Sequence, residues 1–132
     1  MKTHVLMVQE QFVPKVLDET KLQTIRGERK RVIKVGDRLD LRTWTGKPYR
    51  SKQKKLRVVT VTKTTWIGIR VVPYKDTVHV WVSLNSESLN AVELHELALA
   101  DGFESLEAFG YFFLQTHGPE FTGNLIEWST VS

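Results

Sequence analysis

Three runs rich in β-branched residues most constrain the fold that this chain can adopt. They cover residues 56–63, 66–72 and 77–82, and in the last run valines alternate with His79 and Trp81. Alternation with a period of two is typical of half-buried strands, and strands at this spacing indicate a small barrel or meander. Further strands are predicted over residues 4–9, 37–44 and 121–128. In the strand over residues 37–44, the alternation places Leu39 and Leu41 inward and Arg38, Asp40 and Arg42 outward.

The last third of the chain changes to the 3.6-residue period of helices. Asn90 and Glu93 have the spacing of a capping box, which predicts the start of a helix. A second helix is predicted from Ser105 to Gly118, and a shorter helix over residues 11–19. Strands followed by helices indicate an α+β fold.

Composition limits the class of protein further. A chain of 132 residues with 41% hydrophobic content can bury the core of one domain, which we expect to span residues 1–132. The absence of cysteine excludes disulfides, thiolate metal sites and cysteine nucleophiles. The histidines lack metal-ligand spacing, so we expect no metal and no cofactor. No apolar run approaches the roughly 20 residues of a membrane helix, and no signal-peptide core is present, which predicts a cytoplasmic protein with no membrane partner.

Charge is divided unevenly along the chain. Residues 1–75 carry 19 basic and 6 acidic side chains, a net charge of +13, whereas residues 76–132 carry 9 acidic and no basic side chains. A basic half in a small domain is typical of nucleic-acid binding. The alternative is that the two halves neutralise each other across the fold.

The most polar stretch is a predicted loop between strands. Six cations fall between Lys47 and Arg57, and Trp44 and Tyr49 are interleaved with this run. Cations neutralise phosphates and rings stack on bases, so the loop is a candidate nucleic-acid contact, and the alternative is a solvated hairpin tip. The candidate nucleic-acid-binding residues, from this loop and from the connection over residues 27–34, are Arg29, Lys30, Lys47, Arg50, Lys52, Lys54 and Lys55.

Residues 19–27 place a lysine, a hydroxyl and an arginine close together, as Lys21, Thr24 and Arg26. The stretch predicts a turn that enters a short strand, with Thr24 and Arg26 on one strand face. A lysine held beside a hydroxyl is what amide-cleaving chemistry needs. Lys21 and Thr24 are three positions apart, so they converge only if Lys21 lies in the turn before the strand. The alternative is a surface strand with solvated cations.

These residues also resemble a known family. Lys21-x-x-Thr24-x-Arg26, followed by Val-Gly-Asp-Arg-Leu at residues 35–39, resembles the ASCH domain, a small β-barrel related to the PUA RNA-binding fold. Asp-Gly-Phe-Glu-Ser-Leu-Glu at residues 101–107 resembles the acidic-Gly-Phe entry to a helix in that family. Glu19 stands where the family carries glycine. The resemblance implies a PUA-like mixed β-barrel with flanking helices.

Some small bacterial ASCH proteins are amidohydrolases that remove the acyl group from acetylated cytidine. The resemblance implies that Lys21 is the proton acceptor, Thr24 the nucleophile and Asp101 the proton donor, at a position where the family's enzymes carry glutamate. The alternatives are a non-catalytic RNA-binding module and an RNA-cleaving enzyme that use the same cleft. The expected partner is therefore a modified nucleoside or RNA. The candidate substrate-binding residues are Arg26, Trp44 and Tyr49.

Overall fold

The fold is organised around one strand of 22 residues, β4 (Gln53–Tyr74). This computed structural model describes residues 1–129, so residues 130–132 of the predicted domain lie outside it. The other strands are β1 (Thr3–Met7), β2 (Gln23–Arg26), β3 (Arg38–Trp44), β5 (Thr77–Leu84), β6 (Glu87–Ser88) and β7 (Glu120–Trp128). The α-helices are α1 (Val13–Leu17), α2 (Ala91–Ala100) and α3 (Leu106–His117).

The long strand corrects one prediction, that residues 56–63 and 66–72 form two separate strands. Thr64 and Thr65 continue the pairing of β4 with β7, opposite Ile126 and Leu125, so the chain does not turn there. The irregularity between Val61 and Lys63 is a bulge, which bends a strand without ending it. One strand therefore pairs with β3 along its first half and with β7 and β5 along its second half.

The sheet is mixed and open. Its order is β1-β3-β4-β5-β6, β7 pairs with both β4 and β2, and only the β1–β3 pair among the described strands is parallel. Between residues 1 and 129 no backbone ladder joins β1 to β2, so the predicted closed barrel is wrong, whereas the α+β class is confirmed. A side chain spans the gap instead: the Arg26 guanidinium donates to the carbonyl oxygen of Met7 at 2.8 Å.

The core lies between the sheet and α3. Leu39, Leu41 and Ile67 are almost fully buried, as is Phe109 of α3. Asp40 lies on the outward face with Arg42, as predicted, and pairs across the strands with the half-exposed Val58. Asp40 is nevertheless buried, because Arg42 covers it through a 2.7 Å contact between Oδ2 and Nη2. An unpaired buried carboxylate would be costly, and the guanidinium offsets that cost.

The helix ends follow the sequence signals. The predicted capping box at α2 is confirmed. The Asn90 side chain accepts a hydrogen bond from the backbone N–H of Glu93, and the Glu93 side chain accepts one from the backbone N–H of Asn90. Ser105 caps α3 through the Ala108 amide, and α3 ends at Gly118, whose φ of +82° suits glycine. No helix described between residues 1 and 129 has both the length and the apolar character needed to cross a membrane.

Candidate functional site

A cavity of about 320 Å³ lies where β1 and β2 fail to pair. Residues 7–9 line one side, β2 lines another, and aromatic side chains of α3 complete the wall. The volume is at the lower end of the range for small-molecule sites, roughly 300–1,000 Å³. Four of the predicted site residues line this cavity: Lys21, Thr24, Arg26 and Asp101.

Local backbone geometry brings Lys21 and Thr24 to the same cavity. Lys21 precedes β2, which begins at Gln23, so Lys21 lies in the turn. The direction of its side chain is therefore not set by the alternation of side chains along the strand. The turn is closed by the Lys21 amide, which donates to the carbonyl oxygen of Lys15 at 3.0 Å. Glu19, where the ASCH family has glycine, has a φ of 64°, a conformation that glycine adopts without strain.

Lys21 and Asp101 form a buried pair, although they are 80 positions apart in the chain. The Lys21 ammonium donates to the backbone oxygen of Asp101 at 2.5 Å and to its Oδ1 at 3.2 Å. The Gln23 amide donates to the same Oδ1 at 3.3 Å, and the Phe12 ring centroid lies 4.8 Å from Lys21 Nζ. Both members of the pair are at most 5% exposed.

Burial acts on the two members of the pair in opposite directions. It lowers the pKa of Lys21, and the attraction of Asp101 offsets only part of that effect. It raises the pKa of Asp101, against the attraction of Lys21 and the hydrogen bond from Gln23. Desolvation therefore favours a neutral amine and a protonated carboxyl, and the two groups titrate as one coupled unit.

Thr24 and Arg26 form a second pair on the strand face predicted for them. Arg26 Nε donates to Thr24 Oγ1 at 3.0 Å, which leaves the hydroxyl proton available to another acceptor. A donated charge-assisted hydrogen bond stabilises an alkoxide more than a hydroxyl. Burial lowers the pKa of Arg26, and the cation of Arg29 adds to the effect. Among residues 1–129, no carboxylate forms an ion pair with Arg26.

Trp44 and Tyr49 do not line this cavity. Their ring centroids lie 5.1 Å apart at the loop between β3 and β4, and Tyr49 is 88% exposed. The structure therefore does not bring these two predicted substrate-binding residues to Lys21 and Thr24.

One cavity residue that sequence reasoning missed is His117, in the last turn of α3. Its ring lies 5.5 Å from that of Phe113 and 4.5 Å from that of Phe121, and partial burial lowers its pKa. The sequence signal that could have identified His117 is its spacing. Residues four apart share one helix face, and His117 follows Phe109 and Phe113 at this interval. Imidazole is the side chain that titrates nearest neutral pH.

The predicted nucleic-acid-binding cations are exposed and lie on two loops and at the start of β4. Lys54 and Lys55 pair with β3, so the prediction that they belong to the loop is wrong. Arg29 and Lys30 lie on the connection after β2, and Lys55 approaches Asp40 at 3.8 Å. Within the described chain, no carboxylate lies within 4.0 Å of the other cations of this region, namely Lys47, Arg50, Lys52 and Lys54. The Lys21–Asp101 contact is the one ion pair between residues 1 and 129 that joins the basic half to the acidic half.

In comparisons with known proteins, no family model, curated protein or solved structure matches this chain. No group of three or more His, Cys, Asp or Glu side chains in the part of the chain that the structure describes could hold a metal ion. The fold and site thus define an α+β protein with an open mixed sheet and a small-molecule-sized cavity. Within that cavity lie a buried lysine–aspartate pair and a threonine that accepts a hydrogen bond from arginine.

Proposed function

We propose that this protein is an ASCH-like amidohydrolase that removes the acyl group from acylated cytidine or a closely related modified-pyrimidine amide. The open sheet is, in this proposal, a variant of the PUA-like barrel. The observation that carries the proposal is that Lys21, Thr24, Arg26 and Asp101 line one cavity. The family resemblance assigns base, nucleophile and acid to Lys21, Thr24 and Asp101, and Arg26, on the strand face of Thr24, is the anchor.

The reaction needs two half-steps. In the first, Thr24 Oγ attacks the acyl carbon while the neutral amine of Lys21 takes the hydroxyl proton, and Arg26 stabilises the developing oxyanion. The carbon–nitrogen bond breaks as Asp101 gives its proton to the exocyclic nitrogen, which releases cytidine and leaves an ester on Thr24. In the second, water gives a proton to Asp101 and attacks the ester. Thr24 leaves with the proton held by Lys21.

The electrostatics of the buried pair support this assignment. The first half-step requires Lys21 without its proton and Asp101 with one. Burial lowers the pKa of Lys21 and raises that of Asp101, so it favours both of the required forms. An exposed lysine, with a pKa of about 10.4, would be almost fully protonated at neutral pH and would be a poor base.

The test measures the release of cytidine from 4-N-acetylcytidine by chromatography, in reactions run over a range of pH. We expect kcat/KM to follow a bell-shaped profile, because the pair is competent when it holds one proton. The rate falls in acid as Lys21 keeps its proton beside protonated Asp101, and in alkali as Asp101 loses the proton that it must donate. A rate equal to that of buffer at every pH would refute the proposed activity.

A second candidate function is RNA binding through the loop between β3 and β4. It is favoured by exposed cations in this loop and at the start of β4 that lack carboxylate partners within the described chain, Lys52 and Lys54 among them. Cations that meet no acid in their own fold remain available to phosphates.

If the loop binds RNA, replacement of Lys52 and Lys54 by glutamine should weaken binding and make its salt dependence shallower. The slope of log K against log salt should fall by about 0.7 for each lost single-strand phosphate contact. Lys63→Gln, an exposed lysine on β4, is the matched control. Binding that does not respond to salt would contradict this candidate, and a denaturing gel of the same mixtures tests the RNA-cleaving alternative.

A further inference from the structure

The hairpin of β4 and β5 exposes a row of aromatic rings on the outer face of the sheet. Tyr74 and His79 have ring centroids 4.6 Å apart, and those of His79 and Trp81 are 5.9 Å apart. Tyr74 is 50% exposed and Trp81 52%. The alternation of strands explains the row. Val71 and Val82 are buried in the core, so the residues next to them on their strands point outward.

Each end of the row carries a cation. Arg70 pairs with Trp81 across the two strands, and its guanidinium lies 5.9 Å from the Trp81 ring. The Lys75 ammonium lies 5.3 Å from the Tyr74 ring. We call these five residues the aromatic strip: Arg70, Tyr74, Lys75, His79 and Trp81. None of them lines the cavity that contains Lys21.

The same face continues along β4 toward a basic connection. Trp66 is 41% exposed and precedes Arg70 by four residues, so it lies on the same side of the strand. At about 3.3 Å per residue, the distance from Trp66 to Tyr74 is roughly 26 Å. Trp66 also borders a surface pocket of about 230 Å³ that Arg29 helps to line.

Between Trp66 and Arg70 the face carries no side chain. Gly68 occupies that position, beside a groove of about 320 Å³ that Trp81, Ser83 and Thr122 help to line. A half-exposed Trp81 ring beside a groove with no side chain at Gly68 is suited to a planar ligand. Glu120, which pairs with Arg70 on the β7 side, adds the one carboxylate among the residues lining this groove.

The combination of rings and cations favours one class of ligand. Bases stack on exposed aromatic rings whatever their sequence, and neighbouring cations neutralise the phosphates between them. The centre of a protein–protein interface, in contrast, is depleted of lysine, whereas Lys75 lies 5.3 Å from the Tyr74 ring. Duplexes keep their bases stacked on each other, so rings exposed on a sheet face are suited to unpaired bases.

We propose that the aromatic strip binds single-stranded nucleic acid, with bases stacked on Trp81 and Tyr74 and phosphates near Arg70 and Lys75. This site is separate from the cavity and from the loop between β3 and β4. The proposal therefore does not depend on either function proposed above. If the cavity is also active, the strip directs it toward an acylated cytidine within a polymer.

The test is fluorescence anisotropy with a labelled oligouridine of about 12 nucleotides at low salt. Trp81→Ala and Tyr74→Ala should each weaken binding by roughly 5- to 150-fold, because each removes one stacking partner. Trp81→Phe keeps a ring and should bind within a few-fold of the parent. Val92→Ala, at an exposed apolar position on α2, is the matched surface control, and Glu120→Gln should strengthen binding.

Three outcomes would overturn the proposal. The first is parent-like affinity in both Trp81→Ala and Tyr74→Ala, and the second is equal affinity of the parent for the matching duplex. The third is a parent that does not bind the oligonucleotide at low salt, which would leave the strip to a protein partner. Acetylcytidine turnover separates this test from that of the cavity, because Trp81→Ala should turn over the free nucleoside as the parent does.

Discussion

Replacement of Lys21 by arginine should slow turnover of 4-N-acetylcytidine by about 10²-fold or more while the protein remains folded. Arginine can still donate to the carbonyl and carboxylate oxygens of Asp101, the two acceptors that Lys21 uses. It cannot lose its proton at any pH at which the protein is stable, so it cannot act as the base. General base catalysis contributes about 10²- to 10⁴-fold, and we expect kcat/KM to fall by that factor.

The matched control for this substitution is Lys15→Arg. The Lys15 ammonium donates to the carbonyl oxygen of Gly102 at 2.8 Å, beside Asp101, but Lys15 does not line the cavity. Release of cytidine by chromatography gives the rate, and circular dichroism during heating shows whether each variant is folded. A Lys21→Arg protein with the parental kcat/KM would show that Lys21 is not the base.

Gly123→Ala should destabilise the protein more than Gly27→Ala does. It should also disturb the candidate site. A Cβ at this position of β7 would overlap the carbonyl oxygen of Arg26 and lie 3.0 Å from its carbonyl carbon. Both atoms belong to the backbone, so a side-chain rotation cannot relieve the overlap and β2 must move. We expect a loss of about 3 kcal/mol in the free energy of unfolding. The melting temperature should fall by about 10 °C.

Gly27→Ala is the control, one position beyond Arg26. The atom nearest to a Cβ there is Cε2 of the Phe121 side chain at 3.8 Å, an ordinary contact, so the melting temperature should hardly change. Because β2 holds Thr24 and Arg26, the Gly123→Ala protein should also lose turnover, measured below its melting temperature. Parental stability in the Gly123→Ala protein would show that β2 moves away from β7 without cost.

Much of the local structure could be predicted from the sequence. The cap residues Asn90 and Ser105 and the alternation of valines in β5 each depend on neighbours within a few positions, and each prediction is confirmed. The separate strands predicted over residues 56–63 and 66–72 were wrong for a different reason. Whether a strand continues depends on its pairing partner, and here β7 supplies that partner on both sides of Thr64.

The candidate site was predictable in part. Strand parity placed Thr24 and Arg26 on one face, and the structure confirms the turn that parity required for Lys21. Asp101 was proposed from family resemblance alone, because nothing local indicates that a residue 80 positions from Lys21 will contact it. His117 and the aromatic strip were missed, since the sequence does not reveal which faces of an element remain uncovered.

The sequence by itself determined the type of most segments and the starts of α2 and α3, because periodicity and caps act over a few positions. Tertiary structure alone decided that β1 and β2 do not pair, and a cavity therefore lies between them. It also decided that Lys21 and Asp101 share one desolvated site, where burial changes the pKa of both. Desolvation depends on everything that packs around a group, and that packing is set by contacts between distant parts of the chain.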